Sequence, residues 1–345
     1  MRATLRTFSL GLLAAAFMAS PALAQQKVKI GFITTLSGPQ GVIGEHMKNS
    51  VELALDHLGR KMGGLDVEVI YGDDQFKPDV GKQVADEMLK KHQVDFVAGI
   101  IWSNVMMAVS PTVTGAGKIM IGTNAGPSPL AGAQCSELHF NASWQNDQTP
   151  EAMGKYMHDQ GINDVYIMAP NYQAGKDMLT GFKRYFKGRI ADEVYTKLGQ
   201  ADYQAEISLP AVKEAALGQW ETRYWSPDLK NPANQKYVSD YRKKYGKWPV
   251  FYGAQSYDGI LLIDSAVRAT KGNLKDTKAL VAALRKADFD SIRGRFKFNV
   301  NHHPIQNFYL LKAVKDSSGE MVMQIQKAVF ENHKDAYYGE CKMKW

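Results

Sequence analysis

The chain has 345 residues, of which 45% are hydrophobic and 22% are charged. This composition is typical of a globular protein and excludes a wholly disordered or low-complexity chain. A negative mean hydropathy excludes a polytopic membrane protein, and at roughly 100–200 residues per domain the length predicts two domains. The formal net charge of +7 comes from interspersed charges. The sequence contains no basic block or motif of the kind that binds nucleic acid, so a nucleic-acid partner is not indicated.

The first 24 residues have the three parts of a secretory signal peptide. Arg2 and Arg6 precede an apolar run at 10–18, and Ala22-Leu23-Ala24 supplies the small residues that signal peptidase recognises. The run is shorter than the ~20 residues that span a bilayer. We therefore predict an exported protein with a signal peptide at 1–24, cut after Ala24. Loss of two arginines and no acid lowers its formal charge from +7 to +5.

Two cysteines, Cys135 and Cys341, remain after this cut. An even number of cysteines in an oxidising compartment predicts one disulfide. Such a bond would join the C-terminal tail to the middle of the chain. Zinc is not favoured, because the two cysteines are isolated and lack the CxxC spacing of a zinc site.

From residue 28 onward, strand patterns alternate with helix patterns. In the first half we predict, in chain order, a strand at 28–34, a helix at 47–58, a strand at 67–71, a helix at 79–92, a strand at 94–101, a short helix from Ser103 and a strand at 118–123. The run at 94–101 is almost continuously apolar. This is typical of a parallel strand that is buried on both faces.

The alternation then restarts at Thr149 and Pro150, which predict an N-cap and a first helical residue. Further elements are predicted at 165–169 (strand), 174–186 (helix), 190–198 (strand), 209–217, 235–245, 254–269 and 276–287 (helices), 296–300 (strand) and 308–314 with 321–329 (hairpin). Two successive series of strands and helices predict an α/β fold with two lobes, each built on a parallel sheet.

Ligands of open α/β sheets bind beyond the carboxyl ends of the strands. The loops at those ends contain the segments SGPQGVIG (37–44), WSN (102–104), TNAG (123–126) and NYQAG (171–175). The glycine spacing is not that of a dinucleotide or phosphate loop. Small hydrogen-bonding groups beside aromatic rings favour a cleft for a small anion with an apolar body. Singly, each loop is also explained by a local role, Ser103 as a helix cap and Trp102 as a core residue.

Four segments carry a family resemblance: KIGFITTLSGP (29–39), GDD (72–74), GIIWSN (99–104) and SYDG (256–259). From about residue 27 to its C-terminus, the chain resembles the type I periplasmic substrate-binding proteins of ABC importers, in the Leu/Ile/Val-binding branch. The segments 102–104, 123–126 and 143–147 are similar to members that bind aromatic carboxylates. The resemblance implies two Rossmann-like lobes joined by a hinge, a periplasmic monomer without a cofactor, and a small carboxylate ligand that is delivered to a membrane permease.

The resemblance also implies the residues of the binding site. Ser103 and Asn124 would hold the carboxylate, together with the backbone around Asn104 and Ala125. Trp102 and Tyr172 would stack on the body of the ligand. Four further residues would line the cleft from their loops: Ser37, Gly38, Tyr257 and Asp258. For the last two, a helix cap with a core aromatic is an equally good explanation.

The implied domains are an N-terminal lobe at 25–146, to which part of 254–290 returns, and a C-terminal lobe at 147–253. The hairpin and tail at 291–345 would span the hinge, and crossovers near 145–150 and 248–253 would form it.

The second lobe departs from the family pattern, because the strand-like segment 203–208 passes directly into 209–214. Family members have a helix–strand–helix–strand stretch at this point, roughly fifty residues at ordinary element lengths. We therefore expect a lobe that is shortened near Ser208–Leu209.

Alternatives to an importer component remain. No GxSxG, HExxH or P-loop motif favours an enzyme, and His302-His303 lacks a third ligand at metal spacing. A degenerate or sensory binding protein that no longer transports stays open because of the shortening. A branched-chain amino acid also stays open as the ligand, with Asp258 as the partner of its ammonium group.

Overall fold

The computed structural model describes residues 26–199 and 217–345. The predicted signal peptide, the Ser208–Leu209 junction and all but the last residue of the predicted helix 209–217 lie outside the described residues. Within these ranges, no helix is both long enough and apolar enough to cross a membrane.

The described elements follow the predicted alternation. The strands are β1 (Lys27–Thr34), β2 (Lys61–Met62), β3 (Leu65–Asp73), β4 (Phe96–Gly99), β5 (Ile119–Gly122), β6 (His139–Asn141), β7 (Asp164–Pro170), β8 (Arg189–Thr196), β9 (Trp220–Arg223), β10 (Gln306–Lys315) and β11 (Met321–His333). The helices are α1 (Gly41–His57), α2 (Pro78–Lys90), α3 (Ser103–Gly115), α4 (Ser128–Ala131), α5 (Gln148–Asp159), α6 (Gln173–Tyr185), α7 (Pro232–Tyr245), α8 (Phe251–Ala269) and α9 (Thr277–Lys286).

Three local predictions are wrong. The segment 296–300 is not a regular strand, since Phe298 forms only an isolated bridge with Pro304. The N-cap of α5 is Asp147 rather than Thr149, and that of α3 is Trp102 rather than Ser103.

The first lobe is built on a six-stranded sheet in the order β2-β3-β1-β4-β5-β6. β1 lies between β3 and β4 and pairs with both in parallel, with Val28 opposite Val67 and Ile30 opposite Phe96. Every residue of β4 is buried, as expected for a strand covered on both faces. Because parallel strands end at the same edge of a sheet, the loops after β1, β4 and β5 lie together.

The second lobe has a much smaller core. β7 and β8 form a two-stranded parallel sheet, and α5 and α6 pack together beside it. Its core contains Ile167, Leu179, Phe182 and Phe186. On the opposite face of β7, Tyr166 and Met168 have exposed fractions of 56% and 52%. The fold is thus α/β with two unequal lobes.

A third sheet lies beside α5. β10 pairs in antiparallel fashion with β11 on one side and with β9 on the other, which places Tyr309 opposite Arg223. The Thr222 hydroxyl of β9 donates a 2.7 Å hydrogen bond to the carbonyl of Thr149 in α5. β9 is therefore fixed beside the start of α5, at the junction of the lobes.

Helix α7 packs on the first lobe, although the sequence assigned it to the second. Ser50 of α1 and Tyr237 of α7 share a 2.8 Å hydrogen bond, and Lys244 forms a 2.5 Å ion pair with Asp56. We therefore propose that the chain returns to the first lobe before α7 and not after residue 253.

The predicted disulfide is confirmed. Cys135 and Cys341 are bonded across 206 positions of sequence, with 5.7 Å between their Cα atoms. Nearby, the Asn301 side chain donates to the Asp335 carboxylate, and the Trp345 indole donates to the carbonyl of Val300. The C-terminal tail is thus held against the first lobe by covalent and polar contacts.

Removal of the disulfide by Cys135→Ser with Cys341→Ser lowers the free energy of unfolding by about 2–5 kcal/mol, because so long a loop constrains the unfolded chain strongly. Urea unfolding of residues 25–345 measures this loss. A reductant should reproduce it in the wild type and have no effect on the double variant. If the reductant does not change the unfolding midpoint of the wild type, the expectation is contradicted.

Candidate functional site

A cavity of about 290 Å³ lies where the two lobes meet. Aromatic side chains dominate its wall: Trp102, Trp144, Tyr172, Trp220, Tyr224, Phe251 and Tyr252. Hydroxyl and amide groups interrupt the aromatic surface: Ser103, Asn124, Asn146, Thr149, Gln219 and Thr222. An apolar wall with a few convergent polar groups is typical of a small-molecule site.

A larger and more open groove, of about 760 Å³, lies elsewhere on the first lobe. Its lining includes the charged side chains Lys61, Asp264 and Arg268, and Asp264 and Arg268 are paired with each other at 2.7 Å. It contains neither the aromatic cluster nor any strand-end loop named in the sequence analysis. We therefore place the candidate site in the smaller cavity.

The structure brings half of the predicted site residues to the cavity. The residues in its lining are Trp102, Ser103, Asn124, Ala125 and Tyr172. The residues outside its lining are Ser37, Gly38, Asn104, Tyr257 and Asp258. The first group comes from the loops after β4, β5 and β7, as the strand-end argument requires. Their contact with a ligand stays a prediction.

Asp258 and Tyr257 brace helix α8 instead of lining the cleft. The Asp258 carboxylate forms a 2.9 Å ion pair with Arg293 and accepts a 2.6 Å hydrogen bond from the Ser291 hydroxyl. Burial raises the pKa of Asp258, and the Arg293 guanidinium offsets part of that rise. Tyr257 shares a 2.7 Å hydrogen bond with the ring of His57. Both side chains are buried, and the cavity lining contains other residues of α8, namely Phe251 and Tyr252.

The loop after β1 contacts the cavity wall indirectly, through a hydrogen bond between Thr35 and Trp102, and Ser37 and Gly38 lie outside the lining. The Trp102 indole N–H donates to the Thr35 hydroxyl at 2.9 Å, and that hydroxyl donates to the Asp74 carboxylate at 2.6 Å. All three side chains are buried. This chain of hydrogen bonds sets the orientation of the Trp102 ring at the cavity wall, and it gives the GDD segment a positioning role.

Asn124 and Ser103, the two side chains predicted to hold a ligand carboxylate, differ in whether they have a hydrogen-bond donor free for it. The Asn124 amide is largely used by the protein, since its Nδ2 donates to the Ile101 carbonyl at 2.7 Å and its Oδ1 accepts from Gln255 at 2.5 Å. The Ser103 hydroxyl instead accepts a 3.0 Å hydrogen bond from Asn146. Its own proton can therefore be donated to an acceptor in the cavity.

Four helices begin at the cavity, namely α3, α5, α6 and α8, and each contributes a residue of its first turn to the lining. None of the four has a side-chain cap. Helices α1, α2 and α4 also lack a side-chain cap but contribute no residue to this lining, and α7 and α9 are capped by Asn231 and Asp276. Uncapped N–H groups and the helix dipoles give the region where the four helices of the lining begin a positive potential. The arrangement favours an anionic ligand.

The sequence analysis missed the two charged residues of the lining, Glu221 and Arg223 on β9. The Cζ atom of Arg223 lies 3.5 Å from the centre of the Phe251 ring, and its guanidinium contacts the Glu221 carboxylate. Burial lowers the pKa of Arg223 to about 10, so the side chain stays protonated at neutral pH. No strand was predicted at 220–223, because four residues with two charges do not show an apolar alternation.

Polar contacts join the two lobes next to the cavity. The Asn146 side chain donates to Ser103 at 3.0 Å and to the Asp177 carboxylate of α6 at 2.8 Å, and the Ser128 hydroxyl donates to the same carboxylate at 2.7 Å. The neighbouring Asp147 pairs with Arg184 at 2.9 Å. Burial raises the pKa of Asp147 to about 6. These contacts lie on the crossover that was predicted as the first hinge segment.

A metal centre finds no support. Among the described residues, no group of three or more His, Cys, Asp or Glu side chains is placed to hold a metal ion. His302 and His303 are buried, and the Arg285 Nε donates to His302 at 3.0 Å. Burial lowers the pKa of His302 to about 3. This pair is therefore part of the packing beneath the C-terminal tail.

The family model of the periplasmic binding proteins matches residues 27–209 and 205–319. The chain belongs to this family. It is a family of solute-binding proteins. A relative, the Leu/Ile/Val-binding protein homolog 6 of Brucella abortus (strain 2308), is 25% identical over 373 aligned positions that cover 91% of this chain and 95% of the relative.

Solved structures of similar proteins contain aromatic acids. A solute-binding protein of an ABC transporter from R. palustris, in complex with benzoate, has a TM-score of 0.85 and 25% identity, and covers 92% of this chain and 100% of its own. One from Rhodopseudomonas palustris BisB5, in complex with 3,4-dihydroxybenzoic acid, has a TM-score of 0.82 and 25% identity, with 90% and 99% covered. The chain therefore has the type I fold of this family.

The alignments also bear on the shortened lobe. The two matched ranges of the family model meet at residues 205–209. In the alignment with the Brucella relative, 91% of 345 residues is about 314, so about 59 of the 373 positions have no residue from this chain. The family model thus places a discontinuity at the predicted junction, and the number of unmatched positions agrees with a loss of roughly fifty residues.

The variant Asp258→Asn tests the structural role of that carboxylate. Because Arg293 would be left as a buried cation without its partner, we expect the free energy of unfolding to fall by about 3–5 kcal/mol. Urea unfolding measures this fall, and a matched control is Asp164→Asn, which breaks an exposed pair with Arg189 and costs about 0–1 kcal/mol. A stability equal to that of the control would refute the role.

Proposed function

We propose that this protein is the solute-binding component of an ABC importer, which captures an aromatic carboxylate between its lobes and delivers it to a membrane permease. The observation that carries the proposal is the convergence of four uncapped helix N-termini on an aromatic-walled cavity. The helix ends favour the carboxylate, and the rings favour its apolar body. Similar solved proteins bind benzoate and 3,4-dihydroxybenzoic acid, which supports this ligand class.

The size of the cavity supports a single-ring ligand. Its volume of about 290 Å³ lies at the lower end of the range of roughly 300–1,000 Å³ that is typical of ligand pockets. Trp102 and Tyr172 lie on one wall, with 6.5 Å between their ring centres. We propose that these rings pack on the ligand and that the Ser103 hydroxyl donates to its carboxylate.

A branched-chain amino acid is a weaker candidate. It needs a buried acceptor for its ammonium group, and Asp258 lies outside the cavity in an ion pair with Arg293. Glu221 is the acidic residue of the lining, and its carboxylate already contacts Arg223. The polar groups of the site therefore favour an anion over a zwitterion.

The cellular setting follows from the family and the sequence. We propose that the chain is exported, cut after Ala24 and monomeric in the periplasm. Closure of the lobes around the ligand, through crossovers near 145–150 and 248–253, would produce the form that the permease recognises. A chemoreceptor could recognise the same closed form. We propose the permease as the partner because the similar solved proteins belong to ABC transporters.

Thermal unfolding of residues 25–345 with benzoate, 4-hydroxybenzoate, 3,4-dihydroxybenzoate or leucine tests the ligand class. An aromatic acid at a hundred times its Kd raises the free energy of unfolding by ~2.7 kcal/mol. Stabilisation by leucine alone would overturn the proposed ligand class, and no stabilisation by any of the four would overturn the binding function.

Tyr172→Ala tests the proposed site within this fold. Loss of the ring removes apolar contact with the ligand, and we expect affinity for the aromatic acid to fall about tenfold by isothermal titration calorimetry. The matched control is Tyr166→Ala, because Tyr166 is exposed on β7 and outside the cavity. Equal affinities of the two variants would place the ligand elsewhere.

A further inference from the structure

β9 brings a cation into the cavity wall at a fixed position. Among the described residues, Arg223 is the one Lys or Arg side chain in the lining of this cavity. Its strand is held by pairing with β10 and by the hydrogen bond from Thr222 to α5. Glu221 lies two residues earlier, on the same face of the strand. The backbone that carries both charges is thus anchored on two sides.

The guanidinium of Arg223 is oriented by two contacts. One face lies on the Phe251 ring, with 3.5 Å from Cζ to the ring centre, a cation–π arrangement. At one edge, the Nε nitrogen contacts the Glu221 carboxylate. No hydrogen bond or ion pair joins either terminal nitrogen, Nη1 or Nη2, to another described residue. The fork of the guanidinium is therefore available while its plane is fixed.

The available fork matches the chemistry of a carboxylate. Two parallel N–H groups of an arginine bind the two oxygens of a carboxylate in a planar, bidentate pair. The side chain of Arg223 is 27% exposed, so such a pair would be screened little by solvent. The Glu221–Arg223 pair is neutral as a whole, and the helix N-termini around it supply the remaining positive potential for an added anion.

We propose that Arg223 is the specificity-determining residue of the site and binds the ligand carboxylate through Nη1 and Nη2, with the aromatic body held by the surrounding rings. This inference rests on the proposed function. It adds to the helix N-termini a charged bidentate pair that a neutral carboxamide of the same shape cannot form, so that removal of Arg223 lowers the preference for the acid. The site should thus discriminate between an aromatic acid and its amide by charge.

The experiment measures Kd by calorimetry for benzoate, 4-hydroxybenzoate and their carboxamides. The proteins are mature wild type, Arg223→Gln, Arg223→Lys and the surface control Arg189→Gln. In the wild type we expect each acid to bind about 30-fold or more tighter than its amide. In Arg223→Gln we expect the affinity for the acid to fall by this factor and the affinity for the amide to stay unchanged. The Kd values of acid and amide then lie within about threefold of each other. Arg223→Lys keeps the charge but not the fork, and its ratio is intermediate.

The outcomes separate this inference from the function it rests on. If the wild type binds an acid and Arg223→Gln binds it equally well, the role of Arg223 is overturned and the proposed function stands. If the wild type binds none of the four probes, both are overturned. Unchanged amide binding shows that the cavity of Arg223→Gln is intact. If Arg223→Gln fails to fold, Arg223→Lys decides. A ratio of acid to amide affinity equal to that of the wild type overturns the bidentate pair, and an intermediate ratio supports it.

Discussion

Parallel pairing of β1, β4 and β5 is the constraint on which the site depends. Parallel strands end at one edge of the sheet, and the connection back to the start of the next strand runs through a helix. The helix that follows β4 must therefore begin at that edge, with its N–H groups directed beyond the sheet. The second lobe repeats the arrangement with β7 and α6. The anion-favouring potential of the cavity is thus a consequence of topology, before any charged side chain is considered.

Buried polar contacts hold the aromatic walls in place. Asp74 and Thr35 orient Trp102 from the first lobe. Asp258 and Arg293 secure α8, and Arg293 also donates to the carbonyls of the segment that carries Trp144. Neither acid touches the cavity. Two of the motifs that carried the family resemblance therefore act at a distance, by fixing where the ring systems lie.

The cavity survives in a chain whose second lobe is reduced. Its far wall comes from residues 172–178 and from 219–224, which lie on opposite sides of the 205–209 junction. The core of the second lobe is small, and Tyr166 and Met168 are exposed on β7. The wall nevertheless remains tied to the first lobe through Asp177 of α6, which accepts hydrogen bonds from Asn146 and Ser128. Both sides of the 205–209 junction thus contribute residues to the lining of the cavity.

The sequence by itself determined the α/β class, the family, the disulfide and the cavity positions of Trp102, Ser103, Asn124, Ala125 and Tyr172. The α/β class follows from hydrophobic periodicity and the disulfide from the parity of two cysteines, whereas the family and the site residues follow from the resemblance of segments such as GIIWSN (99–104) to family members. Tertiary structure alone decided that Asp258 faces Arg293, that Thr35 accepts a hydrogen bond from Trp102, and that Arg223 enters the cavity wall. Such choices depend on which face of an element meets its neighbour. A strand as short as β9 carries too few residues to show that face in its own sequence.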